Sequence, residues 1–203
     1  MLDFLARTSV SRVTDPIGAW LVRRGLTPNV MTLIGTACSV AAALLFFPLG
    51  WLLAGTFTVW GFAMFDLLDG AMARALGRST RLGAVLDASC DRIADGALLG
   101  AVTWWCFVVA GDRPAGAAAL VCLVTGQVIS YVKARAEANG LTAEGGLIER
   151  AERLILTLTG TGLQGFGVPH AVDGALGLLA TLSVITVVQR LWAVRSSVRN
   201  VGG

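Results

Sequence analysis

Four aspartates in this sequence lie within or at the ends of apolar segments, in two closely spaced pairs. Asp66 and Asp69 are three residues apart, and Asp87 and Asp91 are four residues apart. On a helix, each spacing places both carboxylates on one face. A carboxylate in a membrane helix is costly to insert and is therefore a candidate functional group. Two consecutive helices joined by a short loop are antiparallel neighbours and can bring all four carboxylates together.

Four converging carboxylates predict a site for divalent cations. The negative charges repel one another unless cations neutralise them, and two divalent ions balance the formal charge. Ligands that are all oxygen suit Mg²⁺, Mn²⁺ or Ca²⁺ better than zinc. The alternative is that the aspartates are structural ion-pair partners of Arg74, Arg78 or Arg92. That interpretation explains any one carboxylate more readily than it explains the whole set.

The residues around the aspartates suit a diphosphate ligand. Gly70 and Ala73 leave room beside the first pair, and Gly83 starts the helix face that carries the second pair. A glycine there lets a ligand approach the backbone closely. Arg74 and Thr80 offer hydrogen-bond donors to phosphate oxygens. These residue types therefore predict a phosphorylated ligand that binds together with metal ions.

The composition indicates that membrane helices carry these residues. Of the 203 residues, 55% are hydrophobic and only 14% are charged, whereas a soluble domain has about 25% charged residues. A span takes roughly 20 residues, so six spans and short loops use nearly the whole chain. The net charge of +3 is too small and too dispersed to indicate a nucleic-acid partner. The sequence thus predicts an all-α integral membrane protein.

Six transmembrane helices are predicted, preceded by an interfacial amphipathic helix. The predicted spans cover about 28–47, 51–75, 83–110, 115–137, 147–164 and 172–193. Residues 1–27 combine apolar residues at helical spacing with several arginines, which is typical of a helix on an anionic membrane surface. Together these segments are expected to form a single membrane domain over residues 1–203, with residues 28–193 containing the spans.

The distribution of Lys and Arg predicts that both termini are cytoplasmic. With an even number of spans and the N-terminus inside, the outer loops hold only Arg113, and the other basic loop residues fall on the inner side. This asymmetry is what the positive-inside rule expects. The aspartate pairs then lie near inner helix ends, so the candidate site faces the cytoplasm.

The aspartates belong to a longer pattern that extends from Asp66 to Asp91. Written out, it is D-x-x-D-G-x-x-A-R, eight residues, and then G-x-x-x-D-x-x-x-D. It resembles the signature of the CDP-alcohol phosphotransferase family at every defined position. The resemblance implies six transmembrane helices after an amphipathic helix, usually in a homodimer. It also implies an enzyme that transfers a phosphatidyl group from CDP-diacylglycerol to an alcohol.

The resemblance implies a role for each matching residue. The ligands of two metal ions, Mg²⁺ or alternatively Mn²⁺, are Asp66, Asp69, Asp87 and Asp91. Asp91 also acts as the general base toward the acceptor hydroxyl. The implied contacts to CDP-diacylglycerol are Asn29, Val30, Met31, Thr32, Gly70, Ala73, Arg74, Thr80 and Gly83. The expected chemistry is metal-assisted phosphoryl transfer with CMP as the leaving group.

A cluster of basic residues lies at the inner ends of the last three predicted spans. Its members are Lys133, Arg135, Arg150, Arg153 and Arg190. These cations suggest an acceptor that carries a phosphate, because a phosphate offers oxygens for forked arginine contacts. Alternatively they reflect membrane topology, or Arg135 and Arg150 pair with nearby glutamates. Asp95, which lies outside the signature, could support the site or pair two helices.

Three stretches, residues 86–95, 130–137 and 148–154, resemble those of actinobacterial family members that use inositol phosphate. Members that use glycerol phosphate usually carry Pro and Lys where this chain has Ala88 and Arg92. The resemblance implies a bacterial cell-membrane enzyme whose acceptor is 1D-myo-inositol 1-phosphate (3-phosphate in the other numbering). Its phosphate would be bound by Lys133, Arg153 and Arg190. Glycerol 3-phosphate is the alternative acceptor, and a small cation transporter is a remote alternative function.

Overall fold

The computed structural model describes residues 14–76 and 80–201, and within these ranges it contains helices and no strands. The helices are α1, described over 14–23, α2 (Pro28–Phe46), α3 (Leu52–Ala63), α4 (Phe65–Ala75), α5 (Arg81–Trp104), α6 (Arg113–Ala138), α7 (Arg150–Gly165) and α8 (Ala171–Val201). A short π-helical segment, Trp105–Val109, continues α5. The side chains of Asp66, Leu67, Asn200 and Val201 lie outside the description. The predicted all-α class is confirmed.

Among the described residues, five helical segments are long and apolar enough to cross a membrane. They are Pro28–Phe46, Leu52–Ala75, Arg81–Val109, Arg113–Ala138 and Ala171–Arg199. Each coincides with a predicted span, and the chain is therefore a multi-pass membrane protein. The remaining predicted span, 147–164, is occupied by α7, whose 16 residues extend only about 24 Å. Because a bilayer core is about 30 Å thick, a sixth crossing by α7 stays a prediction.

Capping residues determine where α6 and α7 begin. The carboxylate of Asp112 accepts a hydrogen bond from the Ala115 amide at 2.9 Å, and a proline occupies the first turn of α6. At the start of α7, the Glu149 amide donates to the Glu152 carboxylate at 2.9 Å, as part of a capping box. This start places two residues of the basic cluster, Arg150 and Arg153, in the first turn of α7.

The chain divides into two compact units, and the first consists of Met1–Ala43 and Phe57–Ala94. In this unit α1 packs closely against α4. A Cβ atom on Gly18 would lie 2.9 Å from the Ala71 carbonyl carbon and from Met72 N, so the contact requires a glycine. The predicted amphipathic segment is thus helical over 14–23, while its residues 1–13 lie outside the described range.

The second unit consists of Leu44–Thr56 and Asp95–Gly203, and in it α8 packs against both α6 and α7. Leu176 and Leu179 on α8 are fully buried. The hydroxyl groups of Thr56 and Thr161 share a buried hydrogen bond of 2.7 Å. These contacts pack α7 and α8, which carry part of the basic cluster, into one unit.

Candidate active site

A cavity of about 720 Å³ lies in the first unit, among residues of α2, α4 and α5. Its walls are formed by Thr27, Pro28, Asn29, Thr32, Asp69, Gly70, Ala73, Leu76, Thr80, Gly83, Ala84 and Asp87. The predicted site residues among them are Asn29, Thr32, Asp69, Gly70, Ala73, Thr80, Gly83 and Asp87. The structure therefore brings most of the signature and the start of α2 to one cavity.

Asp69 is buried in the wall of this cavity, and a hydroxyl group fixes its carboxylate. Thr32 Oγ1 lies 2.6 Å from Asp69 Oδ2 and 3.1 Å from the Pro28 carbonyl oxygen. A hydroxyl has one proton, and the shorter distance to the charged acceptor makes Asp69 its main acceptor. The hydrogen bond joins α2 to α4 and holds the orientation of the carboxylate toward the cavity.

The other three predicted metal ligands differ in how the structure describes them. Asp87 is exposed and lines the cavity. Asp91 lies one turn further along α5, is 20% exposed, and has Arg92 Nη2 at 3.8 Å from its Oδ2. Asp66 precedes Asp69 by one turn on α4, but its side chain is outside the description. Asp69 and Asp87 thus share the cavity wall, whereas Asp66 and Asp91 remain predicted ligands.

The first turn of α5 forms a second wall of the cavity. Thr80 Oγ1 accepts a hydrogen bond from the Gly83 amide at 2.9 Å and so caps the helix. A helix N-terminus carries partial positive charge and favours phosphate binding. A Cβ atom on Gly83 would lie 2.9 Å from Thr80 Oγ1 and 3.1 Å from Asn29 Oδ1. The signature glycine therefore permits both the cap and the close approach of Asn29.

Arg74, a predicted phosphate contact, lies beside the cavity and pairs with the amphipathic helix. Its Nη2 is 2.8 Å and its Nε 3.3 Å from Asp15 Oδ1. Both side chains are at least half exposed. A Cβ atom on Gly70 would lie 3.5 Å from Arg74 Nη1, so the guanidinium stands next to a cavity-lining residue. No feature of the sequence indicated that α1 supplies a partner for this arginine.

Sequence reasoning also missed several residues of the cavity wall. Thr27, Pro28, Leu76 and Ala84 line the cavity but were not predicted as contacts. Thr27-Pro28 was recognisable only as a helix start. Conversely, Val30 is exposed and Met31 is buried on α2, and neither is among the lining residues.

The donor set of the cavity fits a hard divalent cation. Its polar side chains supply oxygen donors, and no His or Cys is among its described lining residues. Among the side chains that the structure describes, no three carboxylate, imidazole or thiol groups are grouped as a metal site. Asp66, one of the four predicted ligands, lies outside that comparison. Asp69 and Asp87 are thus the described part of a ligand set that Asp66 and Asp91 would complete.

The second unit contains the basic cluster, built around Asp95. Arg153 is almost completely buried, and its Nη2 lies 2.9 Å from Asp95 Oδ2. Arg150 Nε lies 3.4 Å from Asp95 Oδ1. Lys133, by contrast, is an exposed residue of α6. Of the alternatives open from the sequence, Asp95 therefore pairs with two arginines of α7, and Arg150 pairs with an aspartate.

Arg190 is buried and bonded mainly to backbone. Its Nη1 donates to the Ile129 carbonyl at 2.9 Å and its Nε to the Gly145 carbonyl at 3.2 Å. Glu149 Oε1 lies 3.6 Å from its Nη2. The side chain thus fastens the loop between α6 and α7 to both α6 and α8. Its predicted contact with an acceptor phosphate stays a prediction.

Comparison with known proteins identifies a family for the whole arrangement. The sequence profile described as CDP-alcohol phosphatidyltransferase matches residues 25–189. The phosphatidylinositol phosphate synthase of Mycobacterium tuberculosis is 55% identical over 199 residues, which cover 97% of this chain and 92% of the relative. The synthase of Corynebacterium glutamicum is 50% identical over 193 residues, which cover 94% and 88%.

Solved structures give the same result. The crystal structure of the M. tuberculosis synthase with CDP-DAG bound superposes with a TM-score of 0.89 at 56% identity, covering 92% of this chain and 95% of that one. The structure of the same enzyme with manganese and citrate gives 0.88 at 56% identity, covering 91% and 90%. The profile match covers the cavity and the basic cluster up to residue 189, and on this evidence the chain belongs to the CDP-alcohol phosphatidyltransferase family.

Proposed function

We propose that the chain transfers the phosphatidyl group of CDP-diacylglycerol to inositol 1-phosphate, giving phosphatidylinositol phosphate and CMP. The observation that carries the proposal is the cavity in which signature residues of α4 and α5 meet the start of α2. The relatives named as phosphatidylinositol phosphate synthases, at 50–55% identity over nearly the whole chain, support the choice of acceptor. Glycerol 3-phosphate is the alternative acceptor, and it leaves the donor side of the reaction unchanged.

The donor's diphosphate is assigned to the wall formed by Thr80 and Gly83, with Arg74 beside it. The capped N-terminus of α5 offers partial positive charge there, and Arg74 offers a full charge beside Gly70. The CDP-DAG complex of the M. tuberculosis relative supports CDP-diacylglycerol as the donor. The segment Asn29–Thr32 is assigned to the nucleotide side of the donor, because two of its residues line the same cavity.

We assign two divalent metal ions, Mg²⁺ or alternatively Mn²⁺, to the four signature aspartates. The oxygen donor set and the manganese complex of the relative support the use of a divalent metal. Bound metal ions would neutralise the diphosphate and stabilise negative charge on the departing CMP. Thr32 contributes by keeping the Asp69 carboxylate in a fixed orientation.

The reaction exchanges one phosphorus–oxygen bond for another. The hydroxyl oxygen of the acceptor attacks the phosphorus of the phosphatidyl group, and the bond from that phosphorus to the bridging oxygen of CMP breaks. Asp91 takes the proton of the attacking hydroxyl, a role that its partly exposed carboxylate permits. CMP leaves with the bridging oxygen, and the phosphatidyl group stays on the acceptor.

On the acceptor side, we assign the phosphate of inositol 1-phosphate to Lys133, Arg153 and Arg190. We also infer a single membrane domain over residues 1–203 that acts as a homodimer, with six crossings and the termini and active site on the cytoplasmic face of a bacterial cell membrane. The asymmetric distribution of basic residues supports this orientation.

The test is CMP release by the purified protein in detergent with CDP-diacylglycerol and Mg²⁺. Inositol 1-phosphate, glycerol 3-phosphate, free inositol and serine are compared as acceptors, with Asp91→Asn as the blank. We expect turnover with inositol 1-phosphate, its loss with EDTA, and its return on adding Mg²⁺ or Mn²⁺. Turnover with glycerol 3-phosphate alone would show that glycerol 3-phosphate, not inositol 1-phosphate, is the acceptor. Turnover that EDTA leaves unchanged would overturn the metal assignment.

A further inference from the structure

Asp95 lies outside the family signature and yet binds two arginines at the start of α7. Its Oδ2 accepts a hydrogen bond from Arg153 Nη2 at 2.9 Å, and its Oδ1 lies 3.4 Å from Arg150 Nε. The side chains of Asp95 and Arg153 are 11% and 4% exposed. A carboxylate that uses one oxygen for each guanidinium fixes the direction of both arginines.

Arg153 also carries a donor that the described residues leave unsatisfied. Its Nε is buried and has no hydrogen-bond partner among them. A buried N–H without a partner is unfavourable, and native proteins normally satisfy it. Because this donor belongs to one of two guanidinium groups at the same carboxylate, it indicates that an anionic ligand completes the cluster.

Gly126 on α6 has no side chain, and this leaves room for Arg153 Nε to pack against the helix. A Cβ atom at Gly126 would lie 3.2 Å from Arg153 Nε and 3.5 Å from its Cδ. A larger residue there would push the guanidinium away from its present position. The helix facing Arg153 is thus shaped to accept this orientation of the side chain, which Asp95 holds from the other end of the guanidinium.

We propose that Asp95 is a positioning residue that holds Arg153 and Arg150 as a pair for the phosphate of the acceptor. The proposal rests on the proposed function only in requiring a phosphorylated acceptor. If the ion pair were purely structural, its loss would lower protein stability and reduce the activity with every substrate alike. A positioning role changes the affinity for the acceptor and leaves the donor and the chemical step nearly unaltered.

The first experiment compares Asp95→Asn with the wild type. The amide keeps the shape and one oxygen of the side chain but removes the charge that anchors two guanidinium groups. We expect the KM for inositol phosphate to rise about tenfold or more, with kcat and the KM for CDP-diacylglycerol within about threefold. The matched control is Asp173→Asn, which removes another ion-paired carboxylate of the same unit, the partner of His170. Its acceptor KM should be unchanged.

A double-mutant cycle separates positioning from a general effect. If Asp95 acts through Arg153, adding Asp95→Asn to Arg153→Lys changes the acceptor KM much less than Asp95→Asn changes it alone. Additive effects would overturn the proposal, as would a fall in kcat with the acceptor KM unchanged. Thermal unfolding and gel filtration in detergent monitor folding. If Asp95→Asn fails to fold, Arg150→Gln is used in its place, because Arg150 is the more exposed of the two arginines. The proposal then requires that Arg150→Gln raises the acceptor KM.

The wild-type assay distinguishes this proposal from the proposed function. If the wild type uses glycerol 3-phosphate rather than inositol phosphate, the proposed acceptor is wrong, and the same KM comparison is made with glycerol 3-phosphate. A raised KM for that acceptor then supports the positioning role, and an unchanged KM overturns it. Wild-type turnover with acceptors that lack a phosphate, at equal KM, would also overturn it.

Discussion

Thr32 Oγ1 donates a hydrogen bond of 2.6 Å to Asp69 Oδ2, and both side chains are buried. The contact joins residues that are 37 positions apart, one at the start of α2 and one in the signature helix α4. A hydrogen bond to a carboxylate is stronger than one between neutral groups, because the acceptor carries a charge. The contact therefore links the predicted nucleotide side of the cavity to a predicted metal ligand.

Replacing Thr32 with Val should weaken catalysis more than folding. The change keeps the shape of the side chain but removes the donor to Asp69, and a hydrogen bond to a charged group contributes about 1.5–3 kcal/mol. We expect kcat/KM for CMP release to fall about 10- to 100-fold, together with a higher Mg²⁺ concentration for half-maximal activity. Thr32→Ser keeps the hydroxyl and should retain most activity. Equal losses in Val and Ser variants would contradict this explanation.

Gly83→Ala should impair donor binding, because its methyl group would lie 2.9 Å from Thr80 Oγ1 and disturb the cap of α5. Loss of an N-cap costs about 1 kcal/mol, and we expect a several-fold rise in the KM for CDP-diacylglycerol. The matched control is Gly100→Ala on the same helix, where a Cβ atom meets nothing within 4 Å. A donor KM that rises equally in both variants would show that helix substitution itself is harmful.

Asp15→Asn should have a small effect, even though Asp15 is the partner of a signature arginine. Ion pairs between exposed side chains contribute about 0–1 kcal/mol, and both side chains here are at least half exposed. We expect the donor KM to change by about fivefold at most, whereas Arg74→Ala should raise it far more. The measurement is donor titration in the CMP-release assay. A rise in the donor KM equal to that of Arg74→Ala would show that the ion pair is essential for donor binding.

Arg190→Ala and Lys133→Ala should separate stability from acceptor binding. Removing Arg190 leaves the Ile129 and Gly145 carbonyls without their donor, and we expect unfolding to become easier by about 2–4 kcal/mol. Lys133 is exposed, so its removal should leave thermal stability unchanged and raise the KM for the acceptor phosphate. Differential scanning fluorimetry and acceptor titration measure the two effects. If the thermal stability of Arg190→Ala equals that of the wild type, Arg190 does not stabilise the loop between α6 and α7.

The sequence predicted the elements and most of the cavity because both depend on short-range spacing. Five spans follow from runs of apolar residues, and Asp69, Gly70 and Ala73 share a helix turn whatever the rest of the chain does. The break between α3 and α4 at Met64 was missed, because no proline or capping residue marks it. The π-helical segment Trp105–Val109 lies in an apolar run and was missed as well.

Contacts between distant residues were beyond the sequence. The pairing of Arg74 with Asp15 and the two backbone carbonyls bound by Arg190 involve partners 45 to 61 positions away. Residue type shows that an arginine needs acceptors but not which ones it meets. For the same reason the sequence left open whether Asp95 supports a site or pairs helices. The structure provides these partners, and the buried Arg153 Nε without a hydrogen-bond partner among the described residues then indicates a ligand.

If α7 makes the predicted sixth crossing, its shortness ties this protein to the thickness of its lipid environment. A helix of about 24 Å is about 6 Å shorter than a typical hydrocarbon core, and fractions of a kcal/mol per Å accompany such a hydrophobic mismatch. In that crossing, the charged first turn of α7, with Arg150 and Arg153, would be the end that stays at the headgroups. Thicker bilayers of long acyl chains would strain this end and thin ones would relax it. Acceptor recognition would then respond to acyl-chain length through mechanics rather than through any contact with the lipid's head.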